Sequence, residues 1–234
     1  MSDIKSIIVL GDSVAKGVLL NPEKKRYFFS KEGFIKTISD KLLAKVTNLS
    51  KFGMTTSHWQ NILDKNEQLN ADLVLIEYGG NDCDYNWDEV AQTPLEEHLP
   101  NTLAAKFEQN LKKLVLNVKQ RHKIPVLMNL PPLDADRYFH WFTKGDRDRA
   151  NNILEWLRDI SKIYWWQEKY SYIIEKVAHN TDTRFINVRS AFLTQDNYRD
   201  FICEDGIHPN QAGQTLMHHV LEDYINKHAS YIMA

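Results

Sequence analysis

A serine hydroxyl is a poor nucleophile until a neighbouring base removes its proton, and that base must itself be held by a third group. Three residues of the chain suit those roles. Ser13 follows Gly11-Asp12, and His208 closes the segment Asp205-Gly206-Ile207-His208. Asp205 precedes His208 by three residues in a stretch containing Gly206, close enough to fold back onto one ring nitrogen while the other meets a hydroxyl. Attack of a serine on an ester carbonyl also creates an oxyanion, which needs fixed hydrogen-bond donors. The Ser13 backbone N–H, the Gly53 N–H and the side-chain amide of Asn81, within Gly79-Gly80-Asn81-Asp82, are of the required type. Together these groups make a complete acyl-transfer site.

Residues 13, 53, 81, 205 and 208 can meet only if the fold gathers distant loops on one side. Short apolar runs at Ile4 to Leu10, Val46 to Leu49, Leu73 to Tyr78, Pro125 to Leu130 and Arg184 to Val188 predict five strands. Helical spacing links them. Phe34, Ile35, Ile38, Leu42 and Leu43 form one apolar face, and His58 to Leu63 makes a short helix. Leu103, Phe107, Leu111, Leu114, Val115 and Val118 form another face, and about 147–178 is partly helical. Leu216 to Ile225 makes a C-terminal amphipathic helix with Asn210 as its candidate N-cap. Strands lacking polar alternation are buried on both faces, so the expected fold is α/β, a three-layer α/β/α sandwich around a parallel sheet. Ligands of such sheets bind beyond the carboxyl ends of the strands. Each chemical block follows a predicted strand, so all fall on that edge. With no repeat, low-complexity tract or linker, residues 1–234 read as one domain. The stretch between the fourth and fifth strands exceeds a minimal crossover and predicts a helical insertion.

In content and order these blocks resemble the SGNH (GDSL-type) hydrolase family. Gly11-Asp12-Ser13 matches its first block, Gly53 its second, Gly80-Asn81-Asp82 its third and Asp205 to His208 its fourth. The resemblance implies a flavodoxin-like sandwich with five parallel strands. It also implies a metal-independent esterase with Ser13 as nucleophile, His208 as base, Asp205 as its orienting partner, and Ser13, Gly53 and Asn81 as oxyanion donors. Two departures are a valine, Val14, where leucine commonly follows the serine, and a second block reduced to one glycine. Asp12 and Asp82 are expected to brace the loops that carry Ser13 and Asn81.

Other motifs fail on their own chemistry. Gly11 to Gly17 has neither the glycine before Lys16 nor the Ser/Thr after it that a phosphate loop requires. Asp82-Cys83-Asp84-Tyr85-Asn86 begins like a calcium loop, but Trp87 and Thr93 replace the turn glycine and the bidentate glutamate. Ala15 stands where an α/β-hydrolase elbow needs its second glycine. Cys203 has no second Cys/His cluster at ligand spacing, and adjacent His218 and His219 diverge by about 100° on a helix, an awkward pair for one metal.

Aromatic residues make up 11% of the chain, yet residues 138–172 hold ten in 35 positions. Some must pack the insertion's own core, and others are expected to wall the cleft or a subunit contact. Tyr138, Phe139, Trp141 and Phe142, nearest the end of the fourth strand, are the expected substrate-binding group. Apolar walls suit an acyl chain and flat rings suit sugars, so the expected substrates are a small acyl or acetyl ester and, as the alternative, an O-acetylated carbohydrate. A non-catalytic carbohydrate- or partner-binding module on the same fold is the alternative from another class.

Composition bounds the partners. A formal net charge of −2 gives no global field for nucleic acid or anionic membrane, and Lys24-Lys25-Arg26 reads as solvated surface. The first apolar run is too short for a signal sequence, and two cysteines cannot make a disulfide framework, so the expected location is cytoplasmic. The expected ligand is a small-molecule ester, with no cofactor and no metal, and the aromatic insertion is a candidate contact for a homo-oligomer.

Overall fold

A computed structural model describes residues 4–66, 70–229 and Met233. In chain order the elements are β1 (Ser6–Gly11), α1 (Ser13–Lys16), β2 (Val18–Asn21), β3 (Arg26–Phe29), α2 (Phe34–Ser39), β4 (Lys45–Asn48), a 3-10 turn at Thr56–His58 and α3 (Trp59–Lys65). They continue as β5 (Leu73–Glu77), α4 (Trp87–Gln92), α5 (Ala104–Gln120), β6 (Ile124–Met128), α6 (Ala135–Thr143), α7 (Arg147–Leu157) and α8 (Ser161–Asn180). The chain closes with β7 (Arg184–Ile186), α9 (Val188–Leu193), a second 3-10 turn at Tyr198–Phe201 and α10 (Gln211–Ala229).

Five strands form one parallel sheet in the order β4-β1-β5-β6-β7. The pleat sends alternate side chains to opposite faces. On β1, Ile8 and Leu10 enter a core with Trp59, Phe107, Leu111, Leu114 and Ile174, so α3, α5 and α8 cover that face. Ile7 and Val9 enter the other core with Phe34, Ile38, Phe192, Met217 and Leu221, from α2, α9 and α10. The central strands β1, β5 and β6 are largely apolar because both faces are covered, the edge strands β4 and β7 carry polar residues, and the expected sandwich is observed. A third cluster, with Trp87, Val90, Tyr138, Phe139, Phe142, Ile153 and Leu157, joins α4, α6 and α7.

The strand order reverses between β1 and β5, which opens a crevice between the loops that follow them. Ser13 begins the helix after β1, and Asn81 lies in the loop after β5. Gly11 allows this close approach, since a Cβ there would stand 2.7 Å from the Glu77 carbonyl oxygen. Among the described residues no helix is long and apolar enough to cross a membrane.

Several boundaries differ from the sequence reading. Helix α2 stops at Ser39, and Leu43 is exposed instead of extending its apolar face. The sequence reading omits the antiparallel hairpin β2–β3 and helices α4, α6 and α9. Three helices lie between β6 and β7, the first of them in the segment read only as cleft lining. Asn210 does cap the last helix: its Oδ1 accepts the Gly213 N–H at 3.1 Å.

Candidate active site

Ser13 opens a single helical turn, with Asp12 as N-cap accepting the Val14 N–H at 2.9 Å. The capping bond fixes the turn and leaves the Ser13 N–H without an acceptor among the described residues. Ser13 Oγ is 2.8 Å from His208 Nε2, and His208 Nδ1 is 2.7 Å from Asp205 Oδ2. The other Asp205 oxygen accepts the N–H groups of Ile207 and His208, each at 3.1 Å, which folds the segment back on itself. Gly206 makes that fold possible. Its φ is +79°, and a Cβ there would lie 2.3 Å from the Tyr138 nitrogen. Burial raises the Asp205 carboxyl, but the bonds and charge of His208 and the two backbone N–H groups prevail and hold it below its ordinary value.

Asn81 Nδ2 donates to Asp12 Oδ2 at 3.1 Å, so one amide hydrogen is engaged and the second has no acceptor among the described residues. The expected bracing role of Asp82 appears as its bonds to the Thr56 N–H and hydroxyl, which tie the Asn81 loop to the turn after β4. Gly53 lies in an exposed part of that loop with φ +74°. No group accepts its N–H among the described residues, and its neighbour Phe52 faces the site. Below Ser13, Glu77 Oε2 accepts the Ala15 N–H at 3.2 Å and the Asp12 N–H at 3.5 Å, while Glu77 Oε1 has no partner among the described residues. Burial and then the charge of Asp12 push the Glu77 carboxyl well above its ordinary value. Burial lifts Asp12 itself to about 6, against the Val14 N–H and His208.

Two spaces meet at Ser13 and His208. One is an enclosed cavity of about 70 Å³ walled by Leu130, Pro131, Tyr138, Ile163 and Trp166. The other is an open groove of about 400 Å³, bordered by Tyr27, Phe52, Trp141, Phe142, Asn86 and Lys144. Of the four aromatic residues expected to bind substrate, Tyr138 lines both spaces and Trp141 and Phe142 line the groove. Phe139 lines neither and packs on Phe142 in the helical cluster, because its position on α6 turns it inward. Asp84 also borders both spaces and accepts from the Tyr138 hydroxyl at 2.7 Å and Trp87 Nε1 at 2.9 Å.

Sequence reasoning missed Tyr27, Phe52 and Asp84. The signal for Tyr27 was present: Val18-Leu19-Leu20 and Tyr27-Phe28-Phe29 flank a turn with Asn21 and Pro22, which is a hairpin pattern. Elsewhere, His218, His219 and Glu222 bring ligand atoms within 4.8 Å of one another, closer than their helical spacing suggests. The Lys41 ammonium lies 3.1 Å from His218 Nε2 and 2.7 Å from Glu222, so a cation already serves this group.

The family described as GDSL-like lipase/acylhydrolase matches residues 9–216. A lipase/acylhydrolase from Enterococcus faecalis superposes with a TM-score of 0.65 at 19% identity, covering 96% of each chain. A catalytic mutant of an acetylxylan esterase from Geobacillus stearothermophilus superposes with a TM-score of 0.63 at 17% identity, over 96% of this chain and 95% of that one. A psychrotrophic esterase from Pseudoalteromonas sp., solved inhibited by monoethylphosphonate, gives 0.59 at 20% identity, over 95% and 97%. The search of curated protein sequences finds no match. The fold is shared with these structures, and the match over residues 9–216 assigns the chain to the GDSL-like lipase/acylhydrolase family, as a hydrolase of ester bonds.

Proposed function

We propose that the chain hydrolyses esters of small acyl groups through a serine-bound acyl-enzyme. Ser13 is the nucleophile, His208 the general base and acid, and Asp205 the group that orients His208. The observation that carries this reading is the unbroken relay of 2.8 Å from Ser13 Oγ to His208 Nε2 and 2.7 Å from His208 Nδ1 to Asp205. With the Nδ1 proton donated to Asp205, the Nε2 lone pair is free for the serine proton.

Ser13 Oγ bonds to the carbonyl carbon as its proton passes to Nε2, and Asp205 stabilises the imidazolium. The negative oxygen takes the Ser13 N–H and the second Asn81 amide hydrogen, with the Gly53 N–H as third donor. His208 returns the proton to the departing alcohol oxygen. Water then gives a proton to Nε2 and attacks the acyl carbon. Collapse restores the Ser13 hydroxyl and releases the acid.

A cavity of about 70 Å³ holds about two to five waters, which supports an acetyl or similarly short acyl group over a fatty chain. The groove favours a second, finer reading, that the alcohol is a carbohydrate. It combines aromatic faces at Tyr27 and Trp141 with polar groups at Asp84, Asn86 and Lys144, and one structural neighbour is an acetylxylan esterase. A binding module without catalysis would have no use for the two-bond relay.

Turnover of p-nitrophenyl acetate tests the reading. Ser13→Ala is expected to lower kcat on the order of 10⁴-fold while the circular dichroism spectrum is unchanged. Undiminished turnover by that variant in folded form would overturn it. Comparing acetylated oligosaccharides with simple acetate esters separates the two alcohols.

A further inference from the structure

The β2–β3 hairpin pairs with itself alone, apart from the parallel sheet. A two-stranded hairpin is marginal by itself and needs packing from outside. Its inner strand gains that packing, since Leu19 and Leu20 are buried with Cys203 against Trp141. Its outer strand is exposed at all four positions, yet carries Tyr27, Phe28 and Phe29. Apolar rings at an unpaired edge are a poor choice for stability or solubility. One of them has a definite neighbour.

The Tyr27 ring stands edge-on to the His208 imidazole, with centroids 5.1 Å apart and planes at 61°. Phe52, from the loop after β4, lies at 6.0 Å and 27° to the same imidazole. Tyr27 also meets Phe52 at 5.4 Å and Trp141 at 6.1 Å. Burial and then the Asp205 carboxylate raise the Tyr27 phenol above its ordinary value. Two segments distant in sequence thus converge on a single imidazole, and Trp141 backs the first of them.

We infer that Tyr27, with Phe52 beside it, is a positioning residue for the His208–Asp205 pair: the two rings roof the imidazole, exclude water from its bond to Asp205 and hold its plane toward Ser13. The inference rests on the serine-hydrolase reading for its kinetic consequence, and on the geometry alone for the shielding. Hydrogen bonds between a charged donor and acceptor strengthen as water is excluded, and the imidazolium formed during attack gains from the stacked face of Phe52. The roof therefore acts in both halves of the reaction, including deacylation, after the alcohol has left the groove. A ring that served only to bind the alcohol would have no effect on that second half.

The test uses burst kinetics with p-nitrophenyl acetate and the downfield proton resonance of His208 Nδ1–H. Tyr27→Ala is expected to slow acylation and deacylation alike by about tenfold, a fraction of a general base's full contribution. It should also speed exchange of the Nδ1 proton with water, and Tyr27→Phe should restore both to within about twofold because the ring, not the hydroxyl, forms the roof. Slower acylation with unchanged deacylation and an unchanged resonance would reduce Tyr27 to a contact for the alcohol and overturn the inference. Should the wild-type chain show neither burst nor turnover, the serine-hydrolase reading fails. The resonance then still decides the roof, since proton exchange in Tyr27→Ala needs no substrate.

Discussion

The two spaces that meet at Ser13 are built differently. The enclosed cavity is backed by buried polar ties: Gln167 Nε2 donates to the Pro131 carbonyl at 2.7 Å, and Arg189 donates to Gln167 Oε1 at 2.8 Å and to the Leu130 carbonyl at 3.3 Å. The Arg189 guanidinium also lies 4.9 Å from the Tyr164 ring centre. These bonds join α8 and α9 to the loop after β6, so the walls cannot move apart without exposing unpaired buried groups. The groove is edged by a hairpin, a loop and helix ends, with Tyr27 and Phe52 substantially exposed and its Arg149 paired to a surface aspartate, Asp88. A wall tied by buried hydrogen bonds selects by size, whereas an open rim contacts many shapes weakly. The acyl side should therefore discriminate sharply and the alcohol side mildly.

The acyl-length series puts most strain on that contrast. Acetyl esters should exceed octanoyl esters in kcat/KM by about 100-fold, because carbons beyond the cavity displace packed side chains at the same order of cost as a missed fit. Trp166→Ala should narrow the gap by enlarging the cavity. Equal rates for both esters would show that the wall yields as readily as the rim.

A smaller effect belongs to the groove. Trp141→Ala should raise KM for an acetylated oligosaccharide by about two- to tenfold, the range of a single aromatic contact. Turnover of p-nitrophenyl acetate at saturation should stay the same. A fall in kcat on both substrates would place Trp141 with the rigid side.

The smallest is a pH effect on the buried floor. Folding raises the Glu77 carboxyl, so the folded chain keeps a proton that the unfolded chain releases above about 4.5. This group favours the folded state most fully below that pH, and its contribution is lost as pH rises through the folded value. Glu77→Gln removes the titration while keeping an acceptor for the Ala15 N–H. Its melting temperature relative to wild type should climb as pH rises from 4 to 8. A constant difference across that range would show that Glu77 titrates normally.

The same contrast separates what the sequence discloses from what it hides. Strands β1, β5 and β6 were legible because burial on both faces erases polar alternation within a few residues, whereas the edge strands β4 and β7 left shorter, partly polar runs. Ser13 and Asn81 were legible because each lies just past such a strand, and Asp205 and His208, which follow β7 only after α9 and a 3-10 turn, because Asp205 reaches His208 within one local turn. Of the rim, only the α6 side with Trp141 and Phe142 was legible. Tyr27, Phe52 and Trp141 come together only through packing of the hairpin on α6 and the loop after β4, with no short-range spacing to record it. Phe139 shows the limit of proximity in sequence: it adjoins residues of the cleft, but helix α6 turns it into the cluster of Trp87 and Ile153. Asp84 was dismissed with a failed calcium loop, although its acid group serves Tyr138 and Trp87 between the two spaces.

All of these differences presuppose that Ser13 is where the chemistry occurs. The most direct measurement is the mass of the folded chain after brief treatment with a fluorophosphonate, followed by peptide mapping. A single phosphonyl adduct on the peptide bearing Ser13, absent from Ser13→Ala and from chain unfolded before treatment, is the result predicted by the relay. An unlabelled folded chain, or an adduct on another residue, would contradict it.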